Sequence, residues 1–303
     1  MNKIFISVKG GNAGDNLNKV LWDLLLPTNK VLPDTEAILG IGTFQNPQVP
    51  IGVKKIHIFG AGSDVVNETE WLKKYECDIH FVRGPLTAKN WSCDGKALTD
   101  GAFLLSHTRL KDLPTTQSKK IGYISHHCSS NNANFKKICE LADVEFIDTK
   151  TDDVEKFISQ VKSCENIITE ALHGAIVADI FRKPWVPVRS AAYVNEFKWT
   201  DWCMSLNLPY TPKSIEPIMT RGIRGIVRFE NALKRGFSLL HIGKARWQHK
   251  RVLYDSIIKE HIVAEQLIRI KNNADWMLSA DNVNDRLVNQ TGDAWTKFVS
   301  RLS

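Results

Sequence analysis

Apolar and polar positions along the first two thirds of the chain switch repeatedly between two spacings. Residues 4–8 form a short apolar run, a glycine-rich polar loop follows, and apolar residues then recur at helical steps over 18–26. Further short apolar runs at 37–42, 56–59 and 79–82 read as strands. A polar stretch at 110–120, with Pro114 and two threonines, reads as a linker. The alternation then resumes: strand 121–125, helix 134–142, strand 144–147, helix 154–163, strand 167–169, a helix after His173 and strand 185–188. Strands alternating with helices predict mainly parallel sheets covered by helices. Two such units suggest an α/β, GT-B-like architecture: Rossmann-like domains at 1–112 and 113–205 with a cleft between them.

From residue 206 the pattern changes. Met219, Ile223, Ile226, Leu233, Phe237 and Leu240 fall mostly at three- and four-residue steps, with Arg221, Arg224, Arg228, Lys234 and Arg235 between them. This is a basic amphipathic helix pattern, weakened by Gly222, Gly225 and Gly236. Residues 206–303 are therefore expected to form a basic helical extension. Either its apolar stripe packs on the core and its basic face is solvated, or it rests on anionic lipid or a lipid-linked substrate.

Charge sharpens that contrast. The net charge is +7 over 303 residues, yet residues 1–205 carry 24 basic and 24 acidic side chains. Between Arg221 and Arg251 lie nine basic residues and one acid, Glu230. Such a local field implies an anionic partner. A nucleic-acid partner is not expected, because the run has no zinc, helix-turn-helix or RNP pattern. No apolar run is of membrane-spanning length, and the start lacks an apolar leader segment, so a cytoplasmic chain is expected. The six cysteines form no C-x-x-C pair, which fits reduced, mostly buried thiols.

Polar residues gather where strands hand over to helices. His173 lies between strand 167–169 and the following helix, where ligands bind in open α/β sheets. Helix N-termini there favour anions through unpaired N–H groups and the helix dipole. Glu170 occupies the same turn. Asn12, Gly14 and Asp15 follow the first strand, with Asp15 either a proton or hydroxyl acceptor or the cap of the helix. The loop is not G-x-G-x-x-G, so a dinucleotide reading has no support. Gly62 and Ser63 follow another strand, beside the similar loop Gly40-Ile41-Gly42-Thr43. Arg83, before Gly84-Pro85, offers a planar fork for carboxylate or phosphate. Ser125, His126 and His127 close the first strand of the second unit, and adjacent imidazoles there suit an anion better than a metal.

Together these pieces resemble the polysaccharide pyruvyl transferase family. The matching segments are Asn12-Ala13-Gly14-Asp15, Val82-Arg83-Gly84-Pro85, Thr99-Asp100-Gly101-Ala102 and Leu172-His173-Gly174-Ala175, in order over about residues 1–205. Ser125-His126-His127, Thr169–Ala175 and Phe197-Lys198-Trp199-Thr200-Asp201-Trp202 look most like its bacterial exopolysaccharide branch. The resemblance implies a GT-B-like fold and transfer of pyruvate from phosphoenolpyruvate onto two hydroxyls of one sugar, giving a ketal on a glycan or lipid-linked oligosaccharide. It implies no metal and no organic cofactor. His173 is then the expected acid or phosphate contact and Asp15 the base. Arg83, His126, His127 and Arg189 are expected on the donor, with Ser125, Glu170, Asn12, Gly14, Gly62 and Ser63 around it. Many members of the family have Arg-Leu-His where this chain has Ala171-Leu172-His173, so another cation must serve; Arg189, Arg182 and Lys198 are the candidates. Two rival readings share the fold class: a GT-B glycosyltransferase using a nucleotide sugar, for which no base platform is visible, and a catalytically lapsed scaffold of a polysaccharide assembly complex.

Overall fold

The short apolar runs form two parallel sheets. In the first, β1 (Asn2–Ile4), β2 (Glu36–Leu39), β3 (Lys55–Phe59) and β4 (Glu76–Phe81) lie side by side in chain order. The second contains β5 (Gly122–Ile124), β6 (Glu145–Ile147), β7 (Ile167–Thr169), β8 (Trp185–Arg189) and β9 (Lys213–Ser214) in the order β6-β5-β7-β8-β9. All pairs in both sheets are parallel. The computed structural model describes residues 1–4, 11–45, 47–65, 69–130, 134–191, 193–216 and 260–302. Residues 5–8 of the first predicted strand and the basic run at 221–251 lie outside them.

The order of the second sheet positions the site. The chain winds from β5 outward to β6, then returns to the other side of β5 to make β7. Winding reverses between β5 and β7, and connections leaving these two carboxyl ends part in opposite directions. A crevice opens there, at the topological switch point of the sheet. Every residue of β5 and β7 is buried, as expected of strands covered on both faces.

Helices cover both sheets: α1 (Ala13–Leu25), α2 (Pro85–Asn90), α3 (Phe135–Ala142), α4 (Val154–Ser163), α5 (Leu172–Ile180) and α6 (Glu196–Ser205). The stripe Leu17, Leu21, Trp22 and Leu25 turns inward from α1, at the spacing that puts residues on one helix face. It joins Ile38 and Phe59 of the first sheet, Ile158 and Val161 of α4, Ile176 and Val177 of α5, and Ile124 and Ile167 of the second sheet in one continuous core. The two sheets are thus held together through α1, which brings the start of that helix to the second sheet. Ala13 donates its N–H to the Thr149 carbonyl at 2.8 Å, and Asn16 Nδ2 reaches the Thr151 carbonyl at 3.0 Å.

The described part of the predicted tail packs back onto both sheets. In α7 (Glu260–Asn273), Val263, Ala264, Leu267 and Ile270 join Ile138 of α3 and Val186 and Val188 of β8. In α8 (Asp281–Val299), Trp295 and Phe298 meet Phe59 of the first sheet at ring separations of 5.1 and 5.3 Å. Among the described residues, no helix is long and apolar enough to cross a membrane. No disulfide joins the six cysteines, and Cys139, Cys164 and Cys203 are buried.

Candidate active site

A cavity of about 240 Å³ opens where the start of α1, the end of β4 and the carboxyl ends of β5 and β7 converge. It is small beside the roughly 300–1,000 Å³ of drug-sized ligand sites.

Its floor is a helix N-terminus. Ala171 precedes α5 in extended backbone and makes no side-chain cap. Leu172, His173 and Gly174, the first residues of α5, line the cavity. An uncapped N-terminus directs backbone N–H groups and the positive end of the helix dipole into it. Helix α1 differs, because Asn12 Oδ1 accepts from the Gly14 N–H at 3.2 Å and is its cap. Asp15 therefore does not cap α1; it sits in the first turn and lines the cavity. Asn12 Nδ2 donates to Asp15 Oδ2 at 2.8 Å. Gly42, at φ +132°, lies against the same carboxylate, with Asp15 Oδ1 3.8 Å from where a Cβ would stand.

Gly14 explains how two helix starts meet. A Cβ there would fall 2.0 Å from His173 Nδ1, so the imidazole edge rests directly on the α1 backbone. Gly62 does the same for Arg83: its missing side chain leaves room for the guanidinium, which would stand 2.1 Å from an added Cβ. Arg83 is almost fully buried at the end of β4. Its Nε donates to Asp201 Oδ2 at 3.0 Å, one terminal nitrogen to Thr43 Oγ1 at 2.8 Å and the other to the Ser63 carbonyl at 3.0 Å. The fork is fixed before any ligand arrives, and its edge lines the cavity.

The remaining wall is basic in residue type. His126, His127 and Lys198 line it with Arg83 and His173. The Cys128 N–H donates to His126 Nδ1 at 3.2 Å, so a neutral His126 keeps its proton on Nε2. The ligand atoms of His126, His127 and Cys128 lie within 4.8 Å of one another. Burial, Arg83 and Lys198 push His173 down to about 3. Burial, His127 and Lys198 push His126 down to about 3. Burial also lowers His127 and Lys198. Asp15 moves the other way: burial lifts it to about 6 against the pull of Lys198 and Asn12.

Burial is the main cause of these shifts, so the site disfavours charge on its own side chains and holds His126 and His173 neutral near pH 7. An anion among the imidazoles raises their affinity for protons, so binding takes protons up. Asp15, whose charge opposes the anion, loses that charge as the pH falls through about 6. Both effects have one sign. Affinity for sulfate, which does not itself titrate in this range, is expected to rise as the pH falls from about 7.5 to 5.5. Calorimetry in two buffers of different ionisation enthalpy measures the proton uptake; a flat or reversed pH profile contradicts the assignment.

Of the expected site residues, Asn12, Gly14, Asp15, Arg83, His126, His127 and His173 line the cavity. Ser63, Gly62, Ser125 and Glu170 stand behind it. Ser125 Oγ is bonded to Ser130 Oγ at 2.6 Å, and buried Glu170 accepts the His126 N–H at 2.9 Å, which holds the histidine loop in place. Arg189 is elsewhere: it ends β8 and is paired with Glu196 of α6. Arg182 is also committed, to Ser279 and Asp281. Of the three cations weighed as substitutes for the absent arginine, Lys198 is the one that lines the cavity. Gly42 and Thr43, from the loop read beside Gly62 and Ser63, line it as well, and so does Thr149, which was missed. Thr149 follows β6 as the other site residues follow their strands, which is the signal that was available.

Residues 12–191 match the family described as polysaccharide pyruvyl transferase, and the matched segment contains every cavity residue except Lys198. The chain belongs to the polysaccharide pyruvyl transferase family. Succinoglycan biosynthesis protein ExoV of Rhizobium meliloti (strain 1021) is 35% identical over 223 residues, which is 70% of this chain and 66% of that protein. Uncharacterized protein L143 of Acanthamoeba polyphaga mimivirus is 27% identical over 187 residues, 59% of this chain and 65% of that protein. The matches thus span just under two thirds of these relatives. Within this pyruvyl transferase family member, the segments read from the sequence at 12–15, 82–85, 125–127, 169–175 and 197–202 each send residues to one cavity, while Thr99-Asp100-Gly101-Ala102 does not line it; Asp201 of the Phe197–Trp202 segment is the partner that fixes Arg83.

Proposed function

We propose that this chain transfers pyruvate from phosphoenolpyruvate onto two hydroxyls of one sugar in an exopolysaccharide, capsule or related glycan, forming a cyclic ketal. The carrying observation is one family-motif cavity in which an uncapped helix N-terminus, Arg83, Lys198 and three imidazoles face a buried carboxyl with a pKa of about 6. A donor bearing a carboxylate and a phosphate matches that lining. Its binding between the two sheets fits a GT-B-like arrangement of two Rossmann-like domains, with the glycan or lipid-linked acceptor entering from the cleft.

The reaction needs one proton delivered and two removed. Protonation of the donor's methylene carbon turns the enol carbon into an oxocarbenium-like centre. A sugar hydroxyl adds to that carbon and loses its proton, and the carbon–oxygen bond to phosphate then breaks. A second hydroxyl closes the ring and loses its proton. Of the two protons released, one balances that delivered to carbon and the other leaves on inorganic phosphate. Asp15 serves as the base toward the acceptor, because a carboxyl with pKa near 6 exchanges protons readily at neutral pH. His173 holds the phosphate and, once that anion has raised its proton affinity, acts as the acid. Arg83, Lys198 and the start of α5 hold the anionic groups. No metal or organic cofactor is assigned a part in this scheme.

Phosphate release from phosphoenolpyruvate, measured with galactosides, glucosides and mannosides, is expected to depend on acceptor and to be lost in His173→Ala. Absence of phosphoenolpyruvate binding in a calorimetric titration, with binding of a nucleotide sugar instead, overturns the reading.

The donor contacts separate two lysine and arginine candidates. Lys198→Ala is expected to weaken phosphoenolpyruvate binding about 10- to 100-fold, the loss of one charge-assisted hydrogen bond. Arg189→Ala is expected to leave it within about twofold, since loss of an exposed ion pair changes little. The opposite order in calorimetry returns Arg189 to the site.

We also propose that the basic run between Arg221 and Arg251 rests on an anionic membrane surface, on the inner face of the plasma membrane, where lipid-linked acceptors are presented. Sedimentation with anionic but not neutral vesicles, reversed by salt, is the expected result; equal partitioning to both contradicts it.

A further inference from the structure

The face of the first sheet beneath α8 carries a second cluster, which shares no residue with the cavity. Side chains alternate between the faces of a strand. Glu36 of β2, His57 of β3 and Asp78 of β4 therefore project on one side, with His57 and Asp78 paired in register, and a bulge in β4 at His80, between Ile79 paired with Ile58 and Phe81 paired with Phe59, brings the His80 ring beside them. His57 Nδ1 lies 3.4 Å from His80 Nε2 and 3.6 Å from Asp78 Oδ2, and His80 Nε2 lies 3.5 Å from the same Asp78 oxygen. Three potential ligand atoms thus stand at the corners of a nearly equilateral triangle.

Its size is informative. Bonds of about 2.0–2.2 Å at tetrahedral angles separate neighbouring ligand atoms by about 3.3–3.6 Å. Octahedral coordination with bonds of about 2.0–2.1 Å brings them to about 2.9 Å. The observed triangle fits the tetrahedron and is too wide for the octahedron.

Protons point the same way. His57 Nε2 lies 2.7 Å from Glu36 Oε2. A carboxylate only accepts, so His57 carries its proton on Nε2 and turns the Nδ1 lone pair into the triangle. His80 can place one proton between one pair of corners, which leaves lone pairs facing along the others. A cation removes that conflict. A carboxylate behind a ligating histidine is also the usual outer partner of a bound metal. Both rings are locked in place: His80 stacks on Phe59 at 4.2 Å, and His57 packs on Phe298 of α8 at 4.7 Å. Asp78, with 36% of its side chain exposed, gives access from solvent.

We propose that His57 Nδ1, His80 Nε2 and Asp78 Oδ2 bind a zinc ion, with Glu36 orienting His57 and a water completing the tetrahedron. The ion joins β3 to β4 under α8 and has no part in pyruvyl transfer.

The test is a cobalt titration of the full chain, purified without metal affinity and stripped with a chelator. The wild type is expected to take up one equivalent with the intense visible absorption of four-coordinate cobalt, and zinc is expected to displace it. His80→Ala and Asp78→Asn remove the band, with circular dichroism confirming the fold. Glu36→Gln keeps the band and weakens affinity about 10- to 100-fold. The variant with both His126→Ala and His127→Ala keeps band and affinity, which separates this site from the His126, His127 and Cys128 cluster. A wild type without the four-coordinate band overturns the proposal whatever the variants do. So does a band that survives His80→Ala or vanishes when His126 and His127 are replaced.

Discussion

Replacing Asp15 with asparagine is expected to lower turnover in pyruvyl transfer about 10²–10⁴-fold, the range for loss of a positioned acid or base, without loss of stability. The two halves of that result have one origin. Burial lifts the Asp15 pKa from an ordinary 3.8 to about 6. A carboxyl whose folded pKa is raised is most at home protonated: stability it contributes below pH 3.8 is lost as the pH rises through about 6. Above that window the ionised group costs the fold about 3 kcal/mol, on the order of 1.4 kcal/mol for each pKa step. Asparagine has the same shape and keeps an oxygen for the Asn12 amide, but carries no charge. At about pH 7.5 the variant should therefore melt at or above the wild-type temperature. Its affinity for phosphoenolpyruvate should be unchanged or tighter, because a negative charge has left the anion's cavity. Steady-state kinetics, calorimetry and thermal denaturation together check the assignment. A variant that loses donor affinity but keeps its turnover places Asp15 in binding, and a variant that melts early places it in the fold.

Asp15 was legible as a candidate because the parallel architecture was. Strands 167–169 and helix 154–163 were read from spacing alone at the bounds the structure shows. Parallel strands put their carboxyl ends on one edge, so polar residues after successive strands converge without any long-range information. That argument found His126 and His173, which follow the two strands flanking the switch point. It failed for Arg189 for a definite reason. Arg189 also ends a strand, but β8 lies one strand beyond the switch point, and Glu196 on the next helix takes its charge. Being at a strand end does not say which strand is central. Lys198 was one of three candidates that spacing could not rank, because α6 reaches the cavity by tertiary packing. The return of α7 and α8 to the two sheets was hidden in the same way: the apolar stripe Val263, Leu267 and Ile270 says that a helix has a partner, and not which one. The His57, Asp78 and His80 cluster was not read from the sequence at all, because strand order brings His57 beside Asp78 and a bulge in β4 turns His80 toward them.

The buried pair formed by Arg83 and Asp201 carries the largest stability prediction. Both side chains are essentially excluded from solvent, at 1% and 0% exposure. Asp201 Oδ2 accepts from Arg83 Nε at 3.0 Å and from Thr87 Oγ1 at 2.6 Å. Its other oxygen accepts the N–H groups of Leu86 and Thr87 at 2.9 and 3.1 Å. Helix α2 starts at Pro85 after Gly84, which has no side chain to cap it, so a carboxylate from α6 performs that task. Gly84 makes the approach feasible, since a Cβ there would stand 2.1 Å from the Asp201 carbonyl oxygen. Asp201→Ala removes all of these acceptors and leaves the Arg83 charge buried without its counter-ion. Breaking a buried pair on one side costs about 3–5 kcal/mol, which for a chain of this size lowers the melting temperature by on the order of 10 °C. Arg83→Ala should be destabilising by a similar route, leaving a buried carboxylate that still has three donors. Because each single change strands a charge that the other removes, the double variant should be less destabilised than the sum of the two. The expected coupling in the double-mutant cycle is on the order of 1–3 kcal/mol. Additive effects, or an Asp201→Ala protein that melts with the wild type, show that the pair is not what joins α6 to the end of β4. The cavity edge formed by Arg83 then needs another explanation for its fixed position.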